Sequence, residues 1–199
     1  MRENYTLTIV AGTNQTGKTT LVMQMIEKLN QRGLIINPSE EHKWNRYEKI
    51  KQGDLKTIHS FTGIKQISPK DDFDTEDHEL YRGVLREVYY NYRGGTLVID
   101  DFRMFVNANV GGLVTKLLIK RRQNHIDAFC ICHSVGQVPP KVFDHSSHLI
   151  LFKTNDDWKN ALKRIGDANR NALAKALRSV NHHPDLHYHQ VIQLMPMNG

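Results

Sequence analysis

The chain has 199 residues, 39% hydrophobic and 24% charged, with a formal net charge of +6 at pH 7. That is an ordinary mixture for one globular domain, or one domain with a small appendage, and it supports a core that needs no disulfides. It excludes a disulfide framework, because Cys130 and Cys132 share one apolar run, and a bilayer-spanning helix, because no apolar stretch approaches ~20 residues.

The elements follow in chain order. Tyr5–Ala11 is β-branched and apolar and predicts a buried strand. From Lys18 to Arg32, Leu21, Val22, Met25, Ile26 and Leu29 recur at helical spacing, and Gly33 ends the helix. Leu34–Asn37 predicts a second short strand, and residues 38–72 are polar and loop-rich, with a short strand near Thr57–Phe61. Asp74 or Thr75 caps a helix striped by Leu80, Val84, Leu85, Val88 and Tyr92, stopped by Gly94 and Gly95. Thr96–Asp100 is a strand, Val110–Arg122 a helix, and Ile126–Cys132 and His148–Phe152 are continuous apolar strands of the kind covered on both faces. Asp157–Ile165 and Ala168–Val180 read as helices, and Tyr188–Leu194 as an edge strand. Alternating strands and helices predict an α/β fold with a mostly parallel central sheet flanked by helices. Residues 1–155 form its core, and 156–199 a helical extension of the same domain.

Gly12-Thr13-Asn14-Gln15-Thr16-Gly17-Lys18-Thr19 matches G-x-x-x-x-G-K-[ST] at every fixed position, between a strand and an amphipathic helix. The glycines let backbone N–H groups converge on a phosphate where a side chain would obstruct. The following helix points its N-terminal dipole at the same anion. Lys18 then reaches the β- and γ-phosphates, Thr19 offers its hydroxyl to Mg²⁺, and Thr20 lies near the α-phosphate. The expected ligands are ATP and Mg²⁺.

Thr96-Leu97-Val98-Ile99-Asp100-Asp101 is an apolar strand ending in two acids, the Walker B pattern. Ligands in open α/β sheets sit at such strand ends. Asp100 is suited to hold Mg²⁺ through water, and Asp101 to orient or deprotonate an attacking water. His133 ends the next strand, where a polar residue senses the γ-phosphate in related ATPases or is simply solvated. Arg121 and Arg122 end a helix near its apolar stripe, either complementing the helix dipole or acting as an arginine finger. Zinc at Cys130 and Cys132 lacks a second cysteine pair. His182, His183, His187 and His189 are irregularly spaced and read as solvated surface.

Taken with Phe129–Pro140 and the strand His148–Phe152, this series resembles the FtsK/HerA superfamily of DNA-translocating P-loop ATPases, especially its compact viral genome-packaging members. The resemblance covers about Thr6–Lys153, with Asp101 where the family has Glu and His133 where it has Gln. It implies a RecA-like ATPase core and ATP hydrolysis coupled to translocation of double-stranded DNA. It also implies a homo-oligomeric ring in which Arg121 or Arg122 completes a neighbour's site, and a capsid or vertex protein as partner. The basic balance agrees with a polyanionic partner. Cysteine usage and an N-terminus without a signal-peptide pattern place the expected protein in the cytoplasm (of a host, for a viral protein) or with the virion, away from membranes. Two other readings stay open: a nucleotide or small-molecule kinase, and a nucleotide-gated DNA-binding or assembly module that does not hydrolyse.

Overall fold

Strand β1, Leu7–Ala11, is buried at every residue because both of its faces are covered. It lies between two parallel partners, β6 (Ile126–Cys132) and β7 (His148–Phe152). The structure, a computed structural model, describes residues 5–69, 78–106 and 111–195. Its eight-stranded sheet has the order β3-β4-β2-β5-β6-β1-β7-β8, where β2 is Gly33–Ile36, β3 Glu48–Lys49, β4 Ile64–Ile67, β5 Gly95–Ile99 and β8 His189–Gln193. All pairings are parallel except β7 with β8.

Helix α1, Lys18–Leu29, covers one face. Its Val22, Met23 and Ile26 join Val10, Val98, Phe129, Ile131 and the indole of Trp44 in one apolar cluster. The other face meets α2 (His78–Asn91), α4 (Gly111–Lys120) and α7 (Asp167–His182). Val84, Val88, Val114, Leu117, Leu173 and Val180 pack there on Leu7, Ile9 and Leu97. Among the described residues there are also three short α-helices, α3 (Phe102–Phe105), α5 (Pro140–Asp144) and α6 (Trp158–Lys163).

Several boundaries differ from the sequence pattern. Helix α1 stops at Asn30, whose left-handed φ of 47° ends it before Gly33. The strand expected near Thr57–Phe61 is instead a run of 3-10 helix, Gln52–Ser60, with Asp54 accepting a hydrogen bond from the Lys51 N–H at its start. The strand of that region is β4, whose Ile-Lys-Gln-Ile sequence is too short and too polar to stand out. The Asp74 or Thr75 cap and Val110 lie outside the described residues. Residues beyond 155 extend the sheet of the core, since β8 pairs with β7 along its whole length. No helix among the described residues is long and apolar enough to cross a membrane.

Candidate nucleotide site

The chain leaves β1 into the loop Gly12–Gly17, which is held by its own backbone. Thr13 N–H donates to the Lys153 carbonyl at 2.8 Å, Gly12 N–H to that of Cys132 at 3.3 Å, and the Thr16 hydroxyl to that of Thr13 at 2.9 Å. A side chain at position 12 would lie 2.6 Å from Phe152 Cβ, so only glycine fits. Gly17 has φ 95°, a conformation L side chains rarely adopt. Lys18 folds beneath the loop, donating to the Gly12 and Thr13 carbonyls at 2.7 and 2.6 Å. Burial lowers its pKa from the ordinary 10.5, opposed in part by the charges of Asp100 and Asp101. One ammonium proton is left for a phosphate oxygen. The Thr19 hydroxyl has no hydrogen-bond partner among the described residues.

Both acids at the end of β5 are brought to this loop. Asp100 is 6% exposed, and each carboxylate oxygen is engaged: Oδ2 accepts from Trp44 Nε1 at 2.5 Å, and Oδ1 from the Asp101 N–H at 2.9 Å. Burial raises its pKa against the pull of these two bonds. Asp101 adopts left-handed backbone, φ 45°, at the start of α3. Its buried Oδ1 has no hydrogen-bond partner and lies 3.8 Å from His133 Nε2. Burial lowers the pKa of His133, opposed by Asp101, so the imidazole is neutral near pH 7. The His133 backbone N–H donates to Gln137 Oε1 at 3.3 Å and anchors the end of β6.

The segment after β2, polar and featureless as sequence, forms one wall of this site. Asn37 turns the chain by donating to the Glu41 carbonyl and accepting from the Glu41 N–H, at 3.2 and 2.9 Å. The 3-10 turn His42–Arg46 then packs along α1, with Lys43 near Thr20 and Arg46 paired with Glu27. Trp44 drops into the core to reach Asp100, while Lys43 Nζ stands 3.4 Å from the Thr20 hydroxyl. Glu41, Lys43, Lys18, Thr19, Asp100 and Asp101 thus line one cleft of about 480 Å³. A lone tryptophan in a polar stretch was the only sequence signal for this wall.

Thr19 and Asp100 fit a Mg²⁺ ion of the usual kind, which keeps several waters and shares its ligands with phosphates. No cluster of three His, Cys, Asp or Glu side chains that could cage a metal occurs among the described residues. A larger cleft of about 1130 Å³ opens beside Asn14 and His133 and is also lined by Lys163, the last residue of α6, and Arg164 after it. Its wall is shaped by Asp156, which accepts from the N–H groups of Val135 and Gly136 and from the Thr154 hydroxyl.

Of the two arginines, the structure corrects the reading of Arg121. Arg121 is 2% exposed and spends its guanidinium on the Leu118 and His145 carbonyls, at 2.9 and 2.7 Å. It ties α4 to the end of α5 and is unavailable to a neighbour. Arg122 is exposed, but it precedes β6, whose far end carries His133. About 20 Å of strand separates it from its own site. Cys130 and Cys132 are buried free thiols, with burial raising Cys132 to about 12, so neither is a thiolate.

No protein-family model matches the sequence, and no curated protein matches it. Solved structures do. The genome packaging NTPase B204 from Sulfolobus turreted icosahedral virus 2, in complex with AMP, superposes with a TM-score of 0.67 at 15% identity, over 98% of this chain and 94% of that one. Its complex with ATP-gammaS gives 0.63 at 14% identity, over 98% of both chains. B204, the DNA-packaging ATPase from Sulfolobus turreted icosahedral virus, gives 0.62 at 14% identity, over 99% and 100%. This chain shares the fold of B204. The likeness spans nearly the whole of both chains, and at such identities it is a likeness of fold.

Proposed function

We propose that this protein is a Mg²⁺-dependent ATPase that translocates double-stranded DNA, as the motor that packages a viral genome into a capsid. The observation that carries the hydrolytic part is the unpartnered, buried Asp101 Oδ1, held beside neutral His133 at the mouth of the phosphate loop. The loop N–H groups and Lys18 orient the β- and γ-phosphates, and Asp101 accepts the proton of a water aligned with the terminal phosphorus. Thr19 and Asp100 would hold Mg²⁺, which when bound neutralises phosphate charge. The packaging part is supported by the end-to-end fold likeness to B204 and by the net charge of +6. Double-stranded DNA, a capsid or vertex protein and further copies in a ring are the partners this reading requires. Of the arginine pair, only Arg122 is exposed enough to meet another subunit.

The large cleft beside Asn14 and His133 has room for a second substrate and favours, as the alternative, a kinase. One assay separates the two. Phosphate release from ATP, followed with and without random-sequence duplex at two salt concentrations, is expected to be stimulated by DNA, and less so at high salt. No stimulation by DNA, with the γ-phosphoryl group transferred to a small acceptor instead of released to water, would establish the kinase.

A further inference from the structure

The four histidines near the C-terminus play no part in the chemistry above, yet the fold sets His187 against the phosphate loop and His189 against Phe152 beside it. Strand β8 runs antiparallel to β7 with His189 opposite Phe152, so the turn before it, residues 183–188, lies at the sheet edge where β1, β5 and β6 end. His187 is pressed against the loop itself. A Cβ built on Gly17 would stand 3.1 Å from His187 Nδ1 and 3.8 Å from the Phe152 ring.

The turn is held in shape. The His187 N–H donates to Asp185 Oδ1 at 2.8 Å, and the Asp185 N–H to His183 Nδ1 at 3.2 Å. The His183 ring stacks on Tyr188 at 3.8 Å and 13°. Tyr188 in turn bonds Ser179 of α7 through its hydroxyl, and His189 lies over Phe152 at 4.9 Å. His187 itself remains exposed, with Leu186 beside it 40% exposed. An ordered turn that leaves a flat ring open at the loop is a platform.

The order of strands says which end of a nucleotide meets it. Asp100, Asp101 and His133 end β5 and β6, on one side of β1, and so mark the side of the terminal phosphate. The other side of β1 is the β7–β8 edge. A triphosphate with its γ end at the acids directs its nucleoside toward that edge. We propose that residues 183–188 form the nucleoside subsite, with the imidazole of His187 stacking on the base. This rests on the reading of Gly12–Thr19 as the triphosphate site. The open part of this turn offers the face of the His187 ring, while the exposed carboxylate of Asp185 is held through Oδ1 by the His187 N–H. The subsite therefore discriminates by stacking area, accepting ATP and GTP alike and CTP less well.

Calorimetric titration of ATP, CTP and inorganic tripolyphosphate with Mg²⁺, into wild type, His187→Ala, His187→Phe and Lys18→Ala, tests this. His187→Ala is expected to weaken ATP by roughly 5- to 150-fold, the range of one lost base-stacking contact, and to remove the preference over CTP. Tripolyphosphate affinity should be unchanged, and His187→Phe should restore ATP binding. ATP affinity within twofold of wild type in His187→Ala overturns the proposal, as does an equal loss of ATP and tripolyphosphate. Lys18→Ala should lose both ligands. If it loses neither, the phosphate-loop reading fails instead.

Discussion

The bond between Trp44 and Asp100 joins a loop invisible in the sequence to a motif that was plain in it, and Trp44→Phe measures its worth. Trp44 is fully buried, and its indole N–H donates to a buried carboxylate at 2.5 Å. A hydrogen bond to a charged group contributes about 1.5–3 kcal/mol, and the smaller phenyl ring forfeits about 1 kcal/mol of packing. The substitution should therefore cost about 3 kcal/mol, a fall in Tm of about 6–12 °C for a domain of this size. Urea unfolding of Trp44→Phe, Asp100→Ala and the double variant separates the bond from the packing. The coupling energy should be about 1.5–3 kcal/mol if the pair is bonded as described. The single Trp44→Phe variant, properly folded, should also need more Mg²⁺ to bind nucleotide, because Asp100 loses one of its two fixed oxygens. A coupling energy below about 0.5 kcal/mol, the usual scatter between independent sites, would refute the reasoning.

Asp101→Asn should bind Mg²⁺-ATP normally yet lose at least about 100-fold in turnover, checked by calorimetry and phosphate release, because an amide takes no proton from water. Arg121→Ala should cost about 3–5 kcal/mol, leaving the Leu118 and His145 carbonyls without their charged donor, whereas Arg122→Ala should stay within about 0.5 kcal/mol in the same thermal melt. The pH dependence of turnover should follow His133. Its pKa is lowered from 6.5, so the ring is neutral above that pH and, on protonation below it, pairs with Asp101 and withdraws the base. Turnover should therefore fall as pH drops through that lowered pKa, on the acid side of the ordinary imidazole value, and His133→Gln should abolish that limb. An unchanged acid limb in His133→Gln would assign it to another group. The same lowered pKa favours the fold above 6.5, a contribution lost as pH falls through the folded value.

Local chemistry made part of this protein readable without coordinates. The phosphate loop needs glycine where a Cβ would strike Phe152 and where φ reaches 95°, and those needs leave a fixed spacing in the chain. Strands β1, β5, β6 and β7 are buried on both faces, so unbroken apolar runs announced them, and Asp100 and Asp101 ended one such run. Strand β4 and the wall made by residues 41–44 left no comparable mark, because a short, half-polar segment gains its place from partners distant in sequence. Helical periodicity put Arg121 and Arg122 near an apolar stripe but could not say which was buried; two carbonyls, one of them 24 residues away, decided it. His187 is the extreme case. Its irregular spacing read as solvated surface, and only the antiparallel return of β8 along β7 sets it against Gly17. Backbone conformation and burial are imposed residue by residue and so are written locally, whereas the approach of two distant segments is a property of the sheet order, which no single stretch of sequence carries.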